Sequence, residues 1–288
     1  MPLLKDAFRR HRPAEEGMAL IMTLWVLTAL AAMVVPLAVG ARQDGLRSLR
    51  AIEDVTLRAA IDAAFARALA EIAAGEAGLG REREWRFGEV ELRYLVGGES
   101  GRVDLNAASP ETLEALFAAH GFAGAEAAAL RDRLLDWRDR DDLRRLRGAE
   151  RADYEAAAAT EMPGDGPLRH PGELRRVLAG AGIAEAGPGS RLEEDVTVWT
   201  GATAPVPRLA SPRLRARLGG LGATVPEGEE DPSITGRDLD PGGVYRIDIR
   251  ARLPNGAARR TMAVVAQREG GWRTLEWMTP LVLEERDE

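Results

Sequence analysis

The sequence lacks cysteine altogether and has few histidines. Its aromatic residues, Phe, Trp and Tyr, make up only 5% of the chain. Without cysteine there can be no disulfide framework, no cysteine-based zinc site and no thiol catalysis. The three histidines, His11, His120 and His170, are scattered, so we assign them no role and expect surface positions. No nucleophile elbow, P-loop or HExxH motif is present either. The sequence therefore predicts a protein that is not an enzyme and has a mainly aliphatic core.

An excess of acidic residues gives the chain a formal net charge of −7, from 39 Lys and Arg against 46 Asp and Glu. Nucleic-acid binding favours a positive surface, so this charge argues against nucleic acid as the main partner. It does not discriminate among protein partners.

Charged side chains are also missing from residues 18–39, which follow Gly17 directly. A helix of 22 residues is about 33 Å long, roughly the thickness of a bilayer core. The basic residues ahead of it, at positions 5, 9, 10 and 12, predict a cytoplasmic N-terminus with the rest of the chain across the membrane. We expect one transmembrane helix at residues 18–39.

The flank of this run differs from an ordinary secretory signal, which has a shorter apolar segment followed by a small-residue cleavage site. Here the small residue, Gly17, precedes the run, and the basic segment precedes Gly17. This order resembles a type IV prepilin leader, which would be cut between Gly17 and Met18 and leave the helix in the mature protein. The alternative is an ordinary single-pass anchor in which Gly17 has no such meaning.

Helical periodicity continues beyond the apolar run, with apolar residues at three-to-four spacing over residues 57–72 and glycines from Gly75 onward. Either one helix extends over residues 18–74, bent at Pro36 and Gly45, or a membrane helix is followed by a separate amphipathic helix.

Strand patterns lie on both sides of a helical middle. Residues 90–96 alternate and are expected to form a hairpin with residues 102–105, and three antiparallel strands are expected over residues 244–278, with a turn at Asn255-Gly256. Between them, Ser109-Pro110 gives a strong helix start. These patterns predict an α+β fold: a pilin-like long N-terminal helix packed on a small antiparallel sheet, with a large α-helical insertion.

The expected organisation has six parts. They are a leader at residues 1–17, an N-terminal helix at 18–75, the first part of the sheet domain at 76–105, a helical insertion at 106–195, a second segment and loop at 196–243, and C-terminal strands at 244–288. Ala-Ser-Pro occurs at residues 108–110 and again at 210–212, after a short strand-like run each time. This is either a degenerate internal repeat or chance similarity.

The order of elements and motifs resembles the minor pseudopilin of type II secretion called general secretion pathway protein K. The resemblance covers nearly the whole chain. The residues that carry it are Gly17-Met18-Ala19-Leu20, Gly101-Arg102-Val103-Asp104-Leu105-Asn106, Leu134-Leu135-Asp136-Trp137-Arg138-Asp139, Gly148-Ala149-Glu150 with Asp153-Tyr154, and Val244-Tyr245-Arg246-Ile247.

The resemblance implies a structural function. Prepilin peptidase would cut after Gly17 and Met18 would be N-methylated. The mature protein would remain in the inner membrane of a Gram-negative bacterium, with its C-terminal domain in the periplasm. It would join the I-type and J-type minor pseudopilins, starting a pseudopilus with the inner-membrane assembly platform, and its insertion would contact secreted exoproteins.

Position five of the mature chain would be Met22. Most pilins and pseudopilins have Glu there, and in this family the missing Glu marks the K-type subunit at the pseudopilus tip. The alternative is that Met22 is simply a membrane residue.

An acidic loop is the best candidate ligand site. Clustered carboxylates suit Ca²⁺, which takes six to eight oxygen ligands, and the resemblance implies calcium in the helical part. Interleaved arginines allow the alternative of a solvated loop of ion pairs. The candidate metal ligands are Asp136, Asp139, Asp141, Asp142, Glu150 and Asp153.

Three rival functions have different requirements. A minor pilin of another type IV filament system would assemble with a different set of subunits. A membrane-anchored DNA-binding protein would use the helix-hairpin-helix pattern of residues 103–130, but residues 101–160 hold nine Arg against twelve acids. A tethered hydrolase lacks the catalytic residues.

Overall fold

The computed structural model describes residues 13–122, 124–182, 191–219 and 239–279. The chain divides into two units, Met1–Arg58 and Ala59–Glu288. Residues 1–12 of the predicted leader lie outside the described residues.

The N-terminal helix, α1, has the bounds Pro13–Ala74 and contains 62 residues. Its regular structure continues through Pro36 and Gly45, so the alternative of one helix rather than two is confirmed. Among the described residues, no helix is both long enough and apolar enough to span a bilayer. The predicted span at 18–39 includes positions 19 and 34–39, whose side chains lie outside the described part of the chain.

The second unit contains a five-stranded antiparallel sheet. Its strands are β1 Glu82–Phe87, β2 Val90–Gly98, β5 Val244–Arg252, β6 Ala258–Arg268 and β7 Gly271–Met278. Their spatial order is β1-β2-β5-β6-β7, and β2 pairs with β5 from Glu91 to Gly98.

The last four turns of α1 pack on this sheet. Three of the six buried residues in the described part of α1 are alanines, Ala60, Ala64 and Ala68, and their small side chains allow a close approach. Across the interface, the Tyr94 hydroxyl of β2 donates to Glu71 Oε1 at 2.9 Å and accepts from Arg67 Nε at 3.1 Å. The predicted α+β class, with a helix on an antiparallel sheet, is confirmed.

Between β2 and β5 the chain forms a helical insertion with its own aliphatic and aromatic core. Its start and end are joined where Ser100 donates to Asp240 through both its backbone N–H, at 2.7 Å, and its hydroxyl, at 2.6 Å. The elements are β3 Val103–Asp104, α2 Pro110–Ala119, α3 Ala125–Arg138, α4 Arg151–Ala156, α5 Leu174–Gly180, β4 Val196–Thr197 and α6 Pro212–Leu218.

The predicted hairpin between residues 90–96 and 102–105 is wrong. The antiparallel partners of β2 are β1 and β5, whereas β3 pairs in parallel with β4. The chain leaves the sheet at a short 3₁₀ turn, Glu99–Gly101, where the buried Glu99 carboxylate accepts from Arg246 Nε and Nη2 at 3.1 and 2.6 Å. This ion pair holds the turn against β5 and directs the chain into the insertion.

The two Ala-Ser-Pro segments each lie at the start of a helix of the insertion. Ser109 follows β3 and caps α2 by accepting from the Thr112 N–H, and Ser211 follows β4 and caps α6 by accepting from the Leu214 N–H, each at 3.2 Å. Their strands pair and their helices contribute to one core. Ser109 lies five residues after the end of β3, whereas Ser211 lies 14 residues after the end of β4, so the two segments share the helix cap but not the spacing.

Candidate functional site

The acidic loop begins where α3 ends, and two carboxylates of α3 fix its path. Asp132 and Asp136 are four residues apart, so they lie on one face of the helix, and both are buried. Asp136 Oδ2 accepts from the backbone N–H of Arg145, and Asp132 Oδ2 accepts from that of Arg147, each at 3.2 Å. The loop over residues 139–150 is therefore attached to α3 at two successive points.

Three of the six predicted metal ligands meet at this loop. Asp139, Asp141 and Glu150 each present a carboxylate oxygen, and these oxygens all lie within 4.8 Å of one another. Glu150 is only 6% exposed. Within the described ranges, Asp139 Oδ1 and Glu150 Oε1 are buried and have no hydrogen-bond partner.

Glu150 lies close to several other carboxylates, and its pKa reflects their charges. Burial, followed by the negative charges of Asp136, Asp139, Asp141 and Asp142, raises the pKa of Glu150 to about 7. Hard oxygen ligands with unsatisfied lone pairs suit Ca²⁺. The residues present therefore fit a calcium ion at Asp139, Asp141 and Glu150.

The other three predicted ligands have different surroundings. Asp136 binds Arg145 Nη1 at 2.5 Å, which also contacts Asp139 Oδ2 at 2.6 Å. Both carboxylate oxygens of Asp153 already have partners at the start of α4. Its Oδ2 accepts from the Glu150 N–H at 3.0 Å, and its Oδ1 accepts from Arg144 Nη1 at 2.9 Å. The Glu150 N–H and then Arg144 hold the pKa of Asp153 below its ordinary value. Asp142 is exposed.

The predicted cleavage site lies in the first unit. Gly17 is within α1, but its surroundings lie outside the described part of the chain. The side chains of Met18 and Met22 are exposed.

Two histidines make specific contacts that the sequence did not indicate. His120 is buried and its Nε2 lies 2.9 Å from Asp195 Oδ2, so its expected surface position is wrong. His170 Nε2 lies 2.5 Å from Glu276 Oε1 of β7. Both partners are distant in sequence, and no local motif connects them.

Asp104 is a further buried carboxylate without an assigned role in the sequence. Its Oδ1 accepts from the N–H groups of Asn106 and Ala107, and its Oδ2 accepts from Thr200 N–H, Thr200 Oγ1 and Gly201 N–H, all between 2.8 and 3.1 Å. The turn after Asp104 is predictable from the sequence, because an Asp side chain commonly accepts from the backbone N–H two residues later, here that of Asn106. The connection to residues 200–201 could not.

The architecture consists of a long N-terminal helix and an antiparallel sheet in which β2 and β5 are joined by a helical insertion that carries the acidic loop. Residues 88–182, about a third of the chain, match the family described as type II secretion system (T2SS), protein K. The resemblance to protein K of type II secretion that the sequence predicts is thereby confirmed over residues 88–182.

A solved structure agrees with this result at the level of the fold. The match is a chain from the crystal structure of the GspK-GspI-GspJ complex from the enterotoxigenic Escherichia coli Type 2 Secretion System, with a TM-score of 0.64 and 14% identity. It covers 82% of this chain and 100% of that chain. No curated protein sequence matches the chain. The non-enzymatic role stays a prediction.

Proposed function

We propose that this chain is a K-type minor pseudopilin of type II secretion. It joins the I-type and J-type minor pseudopilins at the pseudopilus tip, starts assembly there and so helps to export folded proteins across the outer membrane. The observation that carries this proposal is the family match, which covers most of the helical insertion and includes the acidic loop. The fold match supports it, since the matched structure is a complex named for K, I and J subunits.

Processing at the N-terminus is the second part of the proposal. Prepilin peptidase cuts after Gly17, Met18 is N-methylated, and the uncharged run at 18–39 holds the protein in the inner membrane with residues after about 40 in the periplasm. Met22 stands at position five, which fits a subunit with no neighbour above it to receive a carboxylate.

Mass spectrometry of the mature N-terminus tests the processing step. The protein is purified from cells with and without prepilin peptidase. We expect a chain that begins with methylated Met18 only when the peptidase is present. An intact N-terminus in both strains, or a cut after residue 39, would contradict the prepilin assignment.

Assembly is tested by co-purification with the I-type and J-type subunits and with the assembly platform of the same organism. We expect a stable complex with both minor pseudopilins. Assembly only with the subunits of another type IV filament would reject the type II assignment.

Calcium at the acidic loop is the third part. Asp139, Asp141 and Glu150 would hold the ion, whose charge would offset the repulsion among the three carboxylates and satisfy the two unpartnered oxygens. Titration calorimetry should detect calcium binding to the full chain, and calcium should raise the Tm relative to EGTA. No heat of binding and no change in Tm would reject the site.

A further inference from the structure

Two leucines on the acidic loop are unusually exposed. Leu143 is 77% exposed and Leu146 is 89% exposed, more than any other large hydrophobic side chain in the part of the chain that the structure describes. Single exposed leucines are common on proteins, but a contiguous exposed apolar patch often marks an interaction site. Here the two leucines are three residues apart on the same loop.

The backbone beneath these leucines is fixed. The Leu143 N–H donates to Asp141 Oδ1 at 2.9 Å. The N–H groups of Arg145 and Arg147 are held by Asp136 and Asp132. The same hydrogen bonds that attach the loop to α3 therefore keep both leucines on the surface. Because the loop is already ordered, binding a partner would cost less conformational entropy.

The charges around the leucines complement an acidic partner. The exposed charged side chains of this stretch are three arginines, Arg140, Arg144 and Arg147, and two aspartates, Asp141 and Asp142. Arg144 also donates to Asp153 Oδ1 at 2.9 Å, so Arg140 and Arg147 contribute most of the positive charge offered to a partner. A divalent cation bound through Asp141 would leave the exposed face clearly positive. Three protein carboxylates also leave coordination positions on a calcium ion that oxygen atoms of a partner could fill.

We propose that Leu143 and Leu146, together with Arg140, Arg144 and Arg147, form a docking surface, the Leu-Arg surface, for a protein segment in which acidic side chains flank aliphatic ones. The bound cation strengthens this docking. That second statement rests on the calcium site proposed above, whereas the docking itself does not. A lipid surface fits less well, because Asp142 lies beside Leu143 and two leucines do not make the continuous apolar face of a membrane-surface helix.

Fluorescence anisotropy on the full chain in neutral lipid nanodiscs tests the proposal. The probe is a labelled synthetic peptide of alternating Asp and Leu, with an alternating Lys and Leu peptide as the charge-inverted comparison. We expect the acidic peptide to bind in calcium, and to bind about tenfold more weakly to a Leu143→Ser, Leu146→Ser double variant. The matched control is Leu95→Ser, an exposed leucine on the sheet, which should bind as the parent does.

The outcomes separate the two proposals. Calcium binding by calorimetry without leucine-dependent peptide binding overturns the docking surface and leaves the calcium site standing. Leucine-dependent peptide binding that is equal in calcium and EGTA supports docking and overturns the role of the cation. Leucine-dependent binding to anionic vesicles, or self-association lost in the double variant, in place of peptide binding would overturn the proposal in favour of a membrane or a second copy.

Discussion

Gly148 lies against the carboxylate of Asp136 so closely that a Cβ atom at position 148 would overlap Oδ2 and come within 2.6 Å of Cγ. Asp136 is fully buried, and it already accepts from the Arg145 backbone and binds the Arg145 guanidinium. The carboxylate therefore has little freedom to move aside, and the acidic loop can close over α3 only because residue 148 has no side chain.

Gly148→Ala should lower the free energy of unfolding by about 1–3 kcal/mol, because overpacking forces the loop or Asp136 to shift. Urea denaturation measures the loss. Gly219→Ala is the control and should change little, since a Cβ there would have no atom of the described residues within 4 Å. Equal effects in the two variants would contradict the close packing at Asp136.

Glu150→Gln should have opposite effects with and without calcium. In EGTA the variant should have a higher Tm than the parent, because it removes a buried charge that is repelled by four aspartates. In calcium the parent should gain stability, while the variant should bind calcium at least about tenfold more weakly.

The control for this experiment is Glu155→Gln, an exposed glutamate on the neighbouring helix α4. Thermal unfolding in the two conditions gives the comparison. A variant that is less stable than the parent in EGTA would show that Glu150 is a structural acceptor rather than an unsatisfied ligand.

Asp195→Ala should destabilise the insertion, because it leaves the buried His120 ring without its 2.9 Å partner. We expect a loss of about 1–3 kcal/mol at neutral pH. Burial alone would raise the pKa of Asp195, but hydrogen bonds from His120 and Ser211 and the charge of Arg102 more than offset it, so this pKa is below its ordinary value.

A lowered pKa in the folded state means that Asp195 contributes stability above its unfolded pKa of about 3.9 and loses it as the pH falls below that value. The difference between parent and variant should therefore shrink when urea unfolding is repeated near pH 3. Asp54→Ala, which breaks an exposed pair with Arg58, should cost less than about 1 kcal/mol at either pH.

Asp104→Asn should be strongly destabilising although it changes few atoms. Asp104 is the acceptor in all five of its hydrogen bonds, two at Oδ1 and three at Oδ2. The amide NH₂ of asparagine, itself a donor, would therefore face at least two other donors. We expect a loss of about 3 kcal/mol by urea denaturation. Asp62→Asn at an exposed position of α1 is the control and should be close to neutral.

Local signals explain what the sequence predicted well. The three C-terminal strands were recognisable because adjacent strands are joined by short turns such as Asn255-Gly256. The end of α1 at Ala74 follows from Gly75, and the start of α2 follows from Ser109-Pro110. In each case the determining residues are neighbours in sequence.

Long-range pairing explains what the sequence did not predict. The pairing of β2 with β5 joins residues about 150 positions apart, and nothing local to either strand specifies it.

The acidic loop was found because its carboxylates are adjacent in sequence. Two long-range contacts decide which of these carboxylates converge. Arg145 binds Asp136, and Asp132 accepts from the backbone of the loop, although in the sequence Asp132 looks like an ordinary polar residue of a helix.

The ion pair and hydrogen bonds that close the insertion on the sheet have a consequence for the order of folding. Pairing Gly98 with Tyr245 encloses more than 140 residues, and closing a flexible loop of that length costs about 4 kcal/mol of entropy. The parallel pairing of Val103 with Val196 shortens the effective loop before the sheet forms. We therefore expect the helical insertion to fold first, so that Ser100 and Asp240 meet and the centre of the sheet closes late.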